Sequence, residues 1–354
     1  MKTSALTYTS ITSTLLMGLY WTGNAFILTY ASIFLLDKGL NNTQIGLILS
    51  AGAILSILLQ AVPSALSDRF TGLTLRLIMI FFVLLELGIV AGIHFYSGNK
   101  LMLMLEYALL EGLDWAFLAF VNAISMEYEN HGYPVNFSVV RSCGSLFYGV
   151  STLFLGLLSN RFSLGFLMPC LLMVRIGTLI SVCLMKNVRT DMRRNSSKNT
   201  KKDTGAGASG YRELFCTHPK LPLLLFGFFC LWISGTSTNN YIIHIIHKVG
   251  GNNANMGFIS STSAWMEIPF MLLCGLLLRR HSSQSLLRLS AFFYISKPAI
   301  MLLAHSIPIV ALGQYMQGPS YAMSVFLPAV YHLWVQRYFL FHQDSQQRQN
   351  LRTV

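Results

Sequence analysis

Long apolar runs alternate with short polar breaks over most of the chain. A helix rises about 1.5 Å per residue, so roughly 20 mostly apolar residues cross a bilayer core. The runs at 10–36, 44–66, 74–96, 101–125, 138–159 and 163–185 reach that length. So do the runs at 222–246, 256–278, 286–304 and 307–335. Between the sixth and seventh lies Lys186–Lys220, dense in Lys, Arg, Ser, Asn and Gly. Such a stretch cannot bury enough apolar surface to fold alone, so it reads as a solvated linker. The expected domains are a six-helix bundle over 1–185, a basic linker over 186–221, a shorter helical bundle over 222–335 and a polar tail over 336–354. The fold class is an all-α membrane protein of two helical bundles, six spans plus about four.

Composition agrees with this pattern. Of 354 residues, 53% are hydrophobic and 11% charged, against roughly 25% charged in a soluble globular protein. The formal charge of +12 would suggest nucleic acid as a partner of a soluble protein. Here the basic residues concentrate in alternate loops, so lipid is the partner and nucleic acid is not. One set of loops carries Arg69, Arg76, the linker, Arg279, Arg280, Arg288, Arg337, Arg348 and Arg352. The opposite set carries only Lys38, Lys100, Arg161 and Lys248. The positive-inside rule therefore expects a multi-pass protein of the cell membrane with both termini and the linker in the cytoplasm. The six cysteines are scattered without a CxxC pair, which argues against a zinc site or a disulfide framework. His244 and His247 are spaced like metal ligands but lack an acid or Cys nearby, and read as an interfacial pair. No HExxH, GxSxG or P-loop appears, and no metal or cofactor is expected beyond a coupling proton or sodium ion.

The chain also repeats itself. Shifted by 211 residues, Trp21 falls on Trp232, Tyr30 on Tyr241, Asn41 and Asn42 on Asn252 and Asn253, Gly46 on Gly257 and Arg69 on Arg280. LNNTQIGLI thus returns as GNNANMGFI without a gap. Two parallel helical halves are a common transporter plan. The same offset sets Val354 opposite Cys143, early in span five. The second half then has partners for spans one to four only, and the plan is that of a twelve-span protein lacking its last two helices.

At this point the chain resembles the major facilitator superfamily, and within it the lactose-permease-like branch of sugar and nucleoside cation symporters. The resemblance extends to about Ala329. The loop SALSDRFTGLTLR (64–76) is similar to the superfamily's G-x-x-x-D-R-x-G-R/K loop, with Asp68 and Arg69 matched and Ser64 and Thr71 at the glycine positions. RSCGS (141–145) resembles the branch's Arg-x-x-Gly-small motif, and WMEIP (265–269) the segment whose Glu binds sugar. Lys297 sits where the branch carries a basic residue. The resemblance implies substrate binding by Arg141 and Glu267, and a cytoplasmic latch at Asp68 and Arg69. Span ten departs: in QYMQGPSYAM, Gln317 replaces the branch's His and Ser320 stands near its acid. Neither exchanges a proton near neutral pH, so the branch's proton route does not carry over.

Ionisable groups within spans are costly and invite functional readings. Tyr107, Glu111, Asp114, Leu118 and Asn122 share one face of span four. That face either lines a watered cavity for substrate or cation, or pairs with other helices. Arg141 presents a planar fork suited to hydroxyls or carboxylates, or else snorkels. Glu267 can accept two hydroxyl hydrogen bonds, as vicinal sugar hydroxyls offer. Pro269 behind it is expected to break the local helix ladder. Lys297 is expected as the charge partner of Glu267. Asn239, Asn240 and Tyr241, with Trp21, Asn24 and Tyr30 of the repeat, suit a sugar or nucleoside face or serve as packing between helices. Glu86 and Arg175 read as a structural pair.

The expected function is secondary active transport of a small polar solute, a sugar or nucleoside, by alternating access. The alternatives are a non-functional truncated or frameshifted fragment of such a transporter, and an integral-membrane enzyme or scaffold. The solute, the coupling ion and the oligomeric state stay open.

Overall fold

The computed structural model describes residues 2–69, 74–95, 99–130, 133, 135–186, 221–277 and 280–324. Every regular element among them is helical. In chain order these are α1 (Lys2–Asn24), α2 (Ala31–Asp37), α3 (Asn42–Arg69), α4 (Leu75–Phe95), α5 (Lys100–Asn130), α6 (Phe137–Ser159) and α7 (Leu167–Leu184). The second half continues with α8 (Leu221–Asn240), α9 (Ile242–Lys248), α10 (Asn253–Leu277), α11 (Ser283–Leu302), α12 (Ile307–Tyr315) and a last helical stretch at 317–324. The polar linker, the tail and residues 325–335 lie outside the described residues. So do the side chains of Asp68 and Arg69 at the end of α3.

Six described helices are long and apolar enough to cross a membrane, and α1 with α2, bent by 47°, makes a seventh. The other expected spans are α8 with α9, α10, and α12 with 317–324. Helix α10 continues through Pro269, which has no N–H to donate to the Trp265 carbonyl, so the ladder is interrupted there without ending the helix. Lys297 likewise precedes a proline that α11 accommodates.

The repeat read from sequence is a structural repeat in detail. Tyr30 separates α1 from α2, with a π-helical turn at Ala25–Thr29 before it, and Tyr241 separates α8 from α9. Each short helix ends in a glycine at positive φ, Gly39 at 75° and Gly250 at 82°. Glycine reaches this left-handed region without a Cβ clash, which lets the chain reverse. Each following helix then opens on a reciprocal capping box. Asn41 N–H donates to Gln44 Oε1 and Gln44 N–H to Asn41 Oδ1, each at 2.9 Å. Asn252 and Asn255 do the same at 3.0 and 3.1 Å. The first asparagine of each pair, Asn41 and Asn252, is therefore a helix cap.

The halves meet mainly where α6 lies along α10. Glycines permit the close approach. A Cβ on Gly257 would stand 2.5 Å from the Thr152 carbonyl oxygen and 2.7 Å from Gly156 Cα. The Tyr30 hydroxyl donates to that same carbonyl at 2.9 Å and lies over Gly257. Reciprocally, the Tyr241 hydroxyl lies over Gly46. Ser32 adds a hydrogen bond to the Asn240 carbonyl at 2.8 Å. At this end a single apolar core joins Ile33, Phe34, Ile45, Leu155 and Leu171 to Ile242, Ile246, Met256 and Ile259. At the end bearing the linker, the described apolar clusters stay within one half or the other. The molecule is thus sealed between its halves at the end of the short loops 38–41 and 249–252.

Candidate functional site

Below the seal, a cavity of about 130 Å³ lies between the halves. First-half side chains on its wall include Trp21, Asn24, Trp115, Arg141, Ser145 and Tyr148. Second-half side chains include Trp232, Asn239, Asn240, Glu267, Lys297, Gln314, Gln317 and Tyr321.

The polar groups form one continuous chain across it. Arg141 Nη1 donates to Ser145 Oγ at 3.3 Å, and Ser145 Oγ donates to Glu267 Oε2 at 2.9 Å. Gln317 Nε2 donates to the other carboxylate oxygen, Glu267 Oε1, at 3.0 Å. Lys297 Nζ donates to Gln317 Oε1 at 2.7 Å and to Asn239 Oδ1 at 2.6 Å. The Gln317 amide can adopt only one orientation here, since an ammonium must donate and a carboxylate must accept. Gln314 Nε2 also donates to Asn239 Oδ1, at 3.0 Å. Arg141, Glu267 and Lys297 are each at most 5% exposed. Leaving any of them unpaired would cost several kcal/mol, so the chain of hydrogen bonds is what permits their burial.

Lys297 partners Glu267 through the Gln317 amide. No direct ion pair joins them: the Gln317 amide stands between, so each charge is met by a neutral dipole. Arg141 is separated from Glu267 in the same way by Ser145. A carboxylate and two cations poised around neutral bridges can exchange those bridges for solute hydroxyls without creating a bare charge.

The RSCGS stretch has a physical reason in this geometry. On α6, Arg141 and Ser145 lie one turn apart on the same face. Gly144 leaves room for the Trp21 indole, which would meet a Cβ at 2.5 Å. The indole in turn lies 4.3 Å from the Arg141 guanidinium carbon. Arg141 also donates to the Tyr321 hydroxyl at 2.8 Å. A guanidinium held by the Trp21 and Tyr321 rings and two hydroxyl acceptors is fixed in orientation.

Of the residues named from sequence, Asn24, Arg141, Asn239, Asn240, Glu267, Lys297 and Gln317 come together on the cavity wall. Others do not. Asp114 lies in an ion cluster inside the first half, paired with Arg175. Glu111 packs against α3 at Gly52. Asn122 is away from the wall, and Tyr241 serves the seal. The span-four stripe therefore turns toward neighbouring helices, and only Trp115 of α5 reaches the cavity. Asp68 and Arg69 cannot be placed as a latch, since their side chains lie outside the described residues. Gln314 and Tyr321 also belong to the site, as do Ser145, named from sequence only as the small residue of RSCGS, and Trp232, named only as the repeat partner of Trp21. Gln314, Gln317 and Tyr321 are three and four residues apart, a helical stripe that was readable. The Ser145 relay needs the opposing half and was not.

A bundle of apolar helices in two repeated halves, with a charged polar cavity at their interface, defines a multi-pass membrane transporter and not an enzyme. Residues 10–337 match the family model described as the MFS_1 like family, and the chain belongs to that family, within the major facilitator superfamily. It is 23% identical over 312 residues to a Bacillus subtilis (strain 168) protein described as the uncharacterized transporter YwbF, covering 87% of this chain and 73% of that one. In fold it is similar to the crystal structure of a point mutant of the nucleoside transporter NupG, with a TM-score of 0.71 at 14% identity, over 91% of this chain and 82% of that one. The xylose transporter XylE from E. coli is similar at a TM-score of 0.54 and 12% identity, over 90% and 79% of the two chains. The protein is a secondary transporter of a small molecule.

Proposed function

We propose that the solute is a small polyhydroxylated molecule, a sugar or nucleoside, carried across the cell membrane by alternating access. The observation that carries this reading is the hydrogen-bonded chain Arg141–Ser145–Glu267–Gln317–Lys297, which crosses from one half to the other. A solute that inserts into it must touch both halves, so its binding is felt in their relative position. Vicinal hydroxyls suit Glu267, which already accepts from two neutral donors. Trp21 and Trp232, repeat counterparts on the same wall, offer flat apolar faces to a sugar ring or a base. Trp21 Nε1 and Gln314 Oε1 are buried without a hydrogen-bond partner among the described residues. They supply one further donor and one further acceptor.

Because the short-loop end is sealed, the cavity in this conformation belongs to the linker side. The Lys/Arg distribution makes that side the cytoplasm. In a chain whose native cysteines are replaced, Thr200→Cys stays unlabelled by an impermeant maleimide in intact cells and reacts after permeabilisation. Labelling in intact cells would invert the topology. The function itself is tested by uptake of radiolabelled hexoses and nucleosides into proteoliposomes holding the full chain. Saturable uptake of a member of either class supports the reading. Saturable uptake confined to solutes without vicinal hydroxyls would refute it.

A further inference from the structure

A second buried charge cluster lies inside the first half. Arg175 of α7 faces two carboxylates, Glu86 of α4 and Asp114 of α5. All three side chains are fully buried. The cluster is not a balanced pair, because two acids share one base. Asp114 is well served: Arg175 donates to Oδ1, while Asn24 at 2.8 Å and the Tyr20 hydroxyl at 3.4 Å donate to Oδ2. Glu86 is not. Its Oε2 lies 2.7 Å from Arg175 Nε, but neither of its oxygens has an aligned hydrogen-bond donor among the described residues. The titratable and charged groups that face it are Arg175 of α7, Asp114 of α5 and Tyr20 of α1.

A carboxylate without donors in a sealed apolar bundle lacks one positive charge and one hydrogen. A hard metal cation needs several oxygens converging on free space, and here the guanidinium fills that space against Gly23, where a Cβ would meet it at 2.8 Å. A proton needs no such space. Ionisable groups at membrane depth commonly serve as proton relays.

We propose that the Glu86 carboxylate is the coupling-proton site of this transporter, and that Asp114 and Asn24 connect it to the solute cavity. One proton adds to Glu86 and makes the carboxyl neutral, and Arg175 then balances Asp114 alone. Asn24 belongs to both places: its side chain lines the cavity and its amide donates to Asp114. A solute that draws the Asn24 amide toward itself leaves Asp114 with one donor fewer and gives it a larger claim on Arg175. Glu86 then gains from a proton. By linkage the protonated cluster favours solute binding to the same degree. This inference rests on the transporter reading above, and it locates a proton site in the half opposite to span ten, where Gln317 and Ser320 leave none.

The test uses the full chain in lipid vesicles and reads the acid-minus-alkaline infrared difference spectrum. The expected result is a protonated-carboxyl band that shifts when glutamate side chains carry carbon-13. It should vanish in Glu86→Gln and persist in Glu111→Gln. Should Glu86→Gln fail to insert, Glu86→Asp moves the band into the aspartate-labelled spectrum. In proteoliposomes, Glu86→Gln should keep exchange of the labelled solute but lose at least tenfold of its accumulation under an imposed pH gradient. A glutamate band unaltered by Glu86 substitutions, no band at any pH, or undiminished accumulation by Glu86→Gln would overturn the proposal. If the parent chain exchanges no solute, the transporter reading fails, while the infrared result still decides where the proton binds.

Discussion

Arg141→Ala is expected to lower solute affinity on the order of a hundredfold or more, with membrane insertion intact. Three losses combine. The guanidinium's hydrogen bonds to Ser145 and Tyr321 go. Its contact with the Trp21 face goes. Glu267 then keeps a buried negative charge with one nearby cation in place of two. Removing one member of a buried charge group costs about 3–5 kcal/mol, and each 1.4 kcal/mol is about tenfold in affinity. Arg141→Lys should recover little, since an ammonium cannot reach Ser145 and Tyr321 at once while stacking on an indole. Equilibrium binding of labelled solute to the full chain in nanodiscs measures both. Near-parental affinity in Arg141→Ala would take the guanidinium out of the site.

Gly257→Val should break the seal between the halves. The added atoms would fall on backbone, the Thr152 carbonyl oxygen and Gly156 Cα, which cannot rotate aside. The same carbonyl would lose the Tyr30 hydroxyl. Overpacking of this kind costs about 1–3 kcal/mol or more. It is felt only where the halves touch, so the conformation open at the short-loop end becomes favoured. A cysteine at Thr29, a cavity-wall position, should then react with impermeant maleimide added outside intact cells. In the glycine parent it should stay protected. Equal protection in both would show that the α6–α10 contact does not hold the seal.

Much of the fold was legible because a repeat multiplies weak signals. One Asn-Asn or one Gly proves little in an apolar chain. The same residues returning after 211 positions, between the same aromatics, fix the register of two halves, and the caps, glycines and helix breaks fall on it. The site was legible in part. Arg141, Glu267, Lys297 and the amides of spans one and seven stand out because charge and amide are costly within spans. Their bonding was not legible. Spacing cannot reveal that Gln317 separates Lys297 from Glu267, or that Ser145 reaches across to α10. The span-four stripe misled for a related reason. A polar helix face signals avoidance of lipid, and a buried Arg175 meets that need as well as water does. Which one is present depends on the neighbouring helix.

The central claim is that the inter-half chain around Glu267 holds a polyhydroxylated solute. Its most direct test is equilibrium binding of a panel of labelled hexoses and nucleosides to the full chain, compared with Glu267→Gln. That substitution keeps shape and removes the charge that accepts from Ser145 and Gln317. The account predicts saturable binding of at least one solute, weakened tenfold or more in the variant, as expected for a charged hydrogen bond worth about 1.5–3 kcal/mol. Saturable binding with equal affinity in both chains would contradict it.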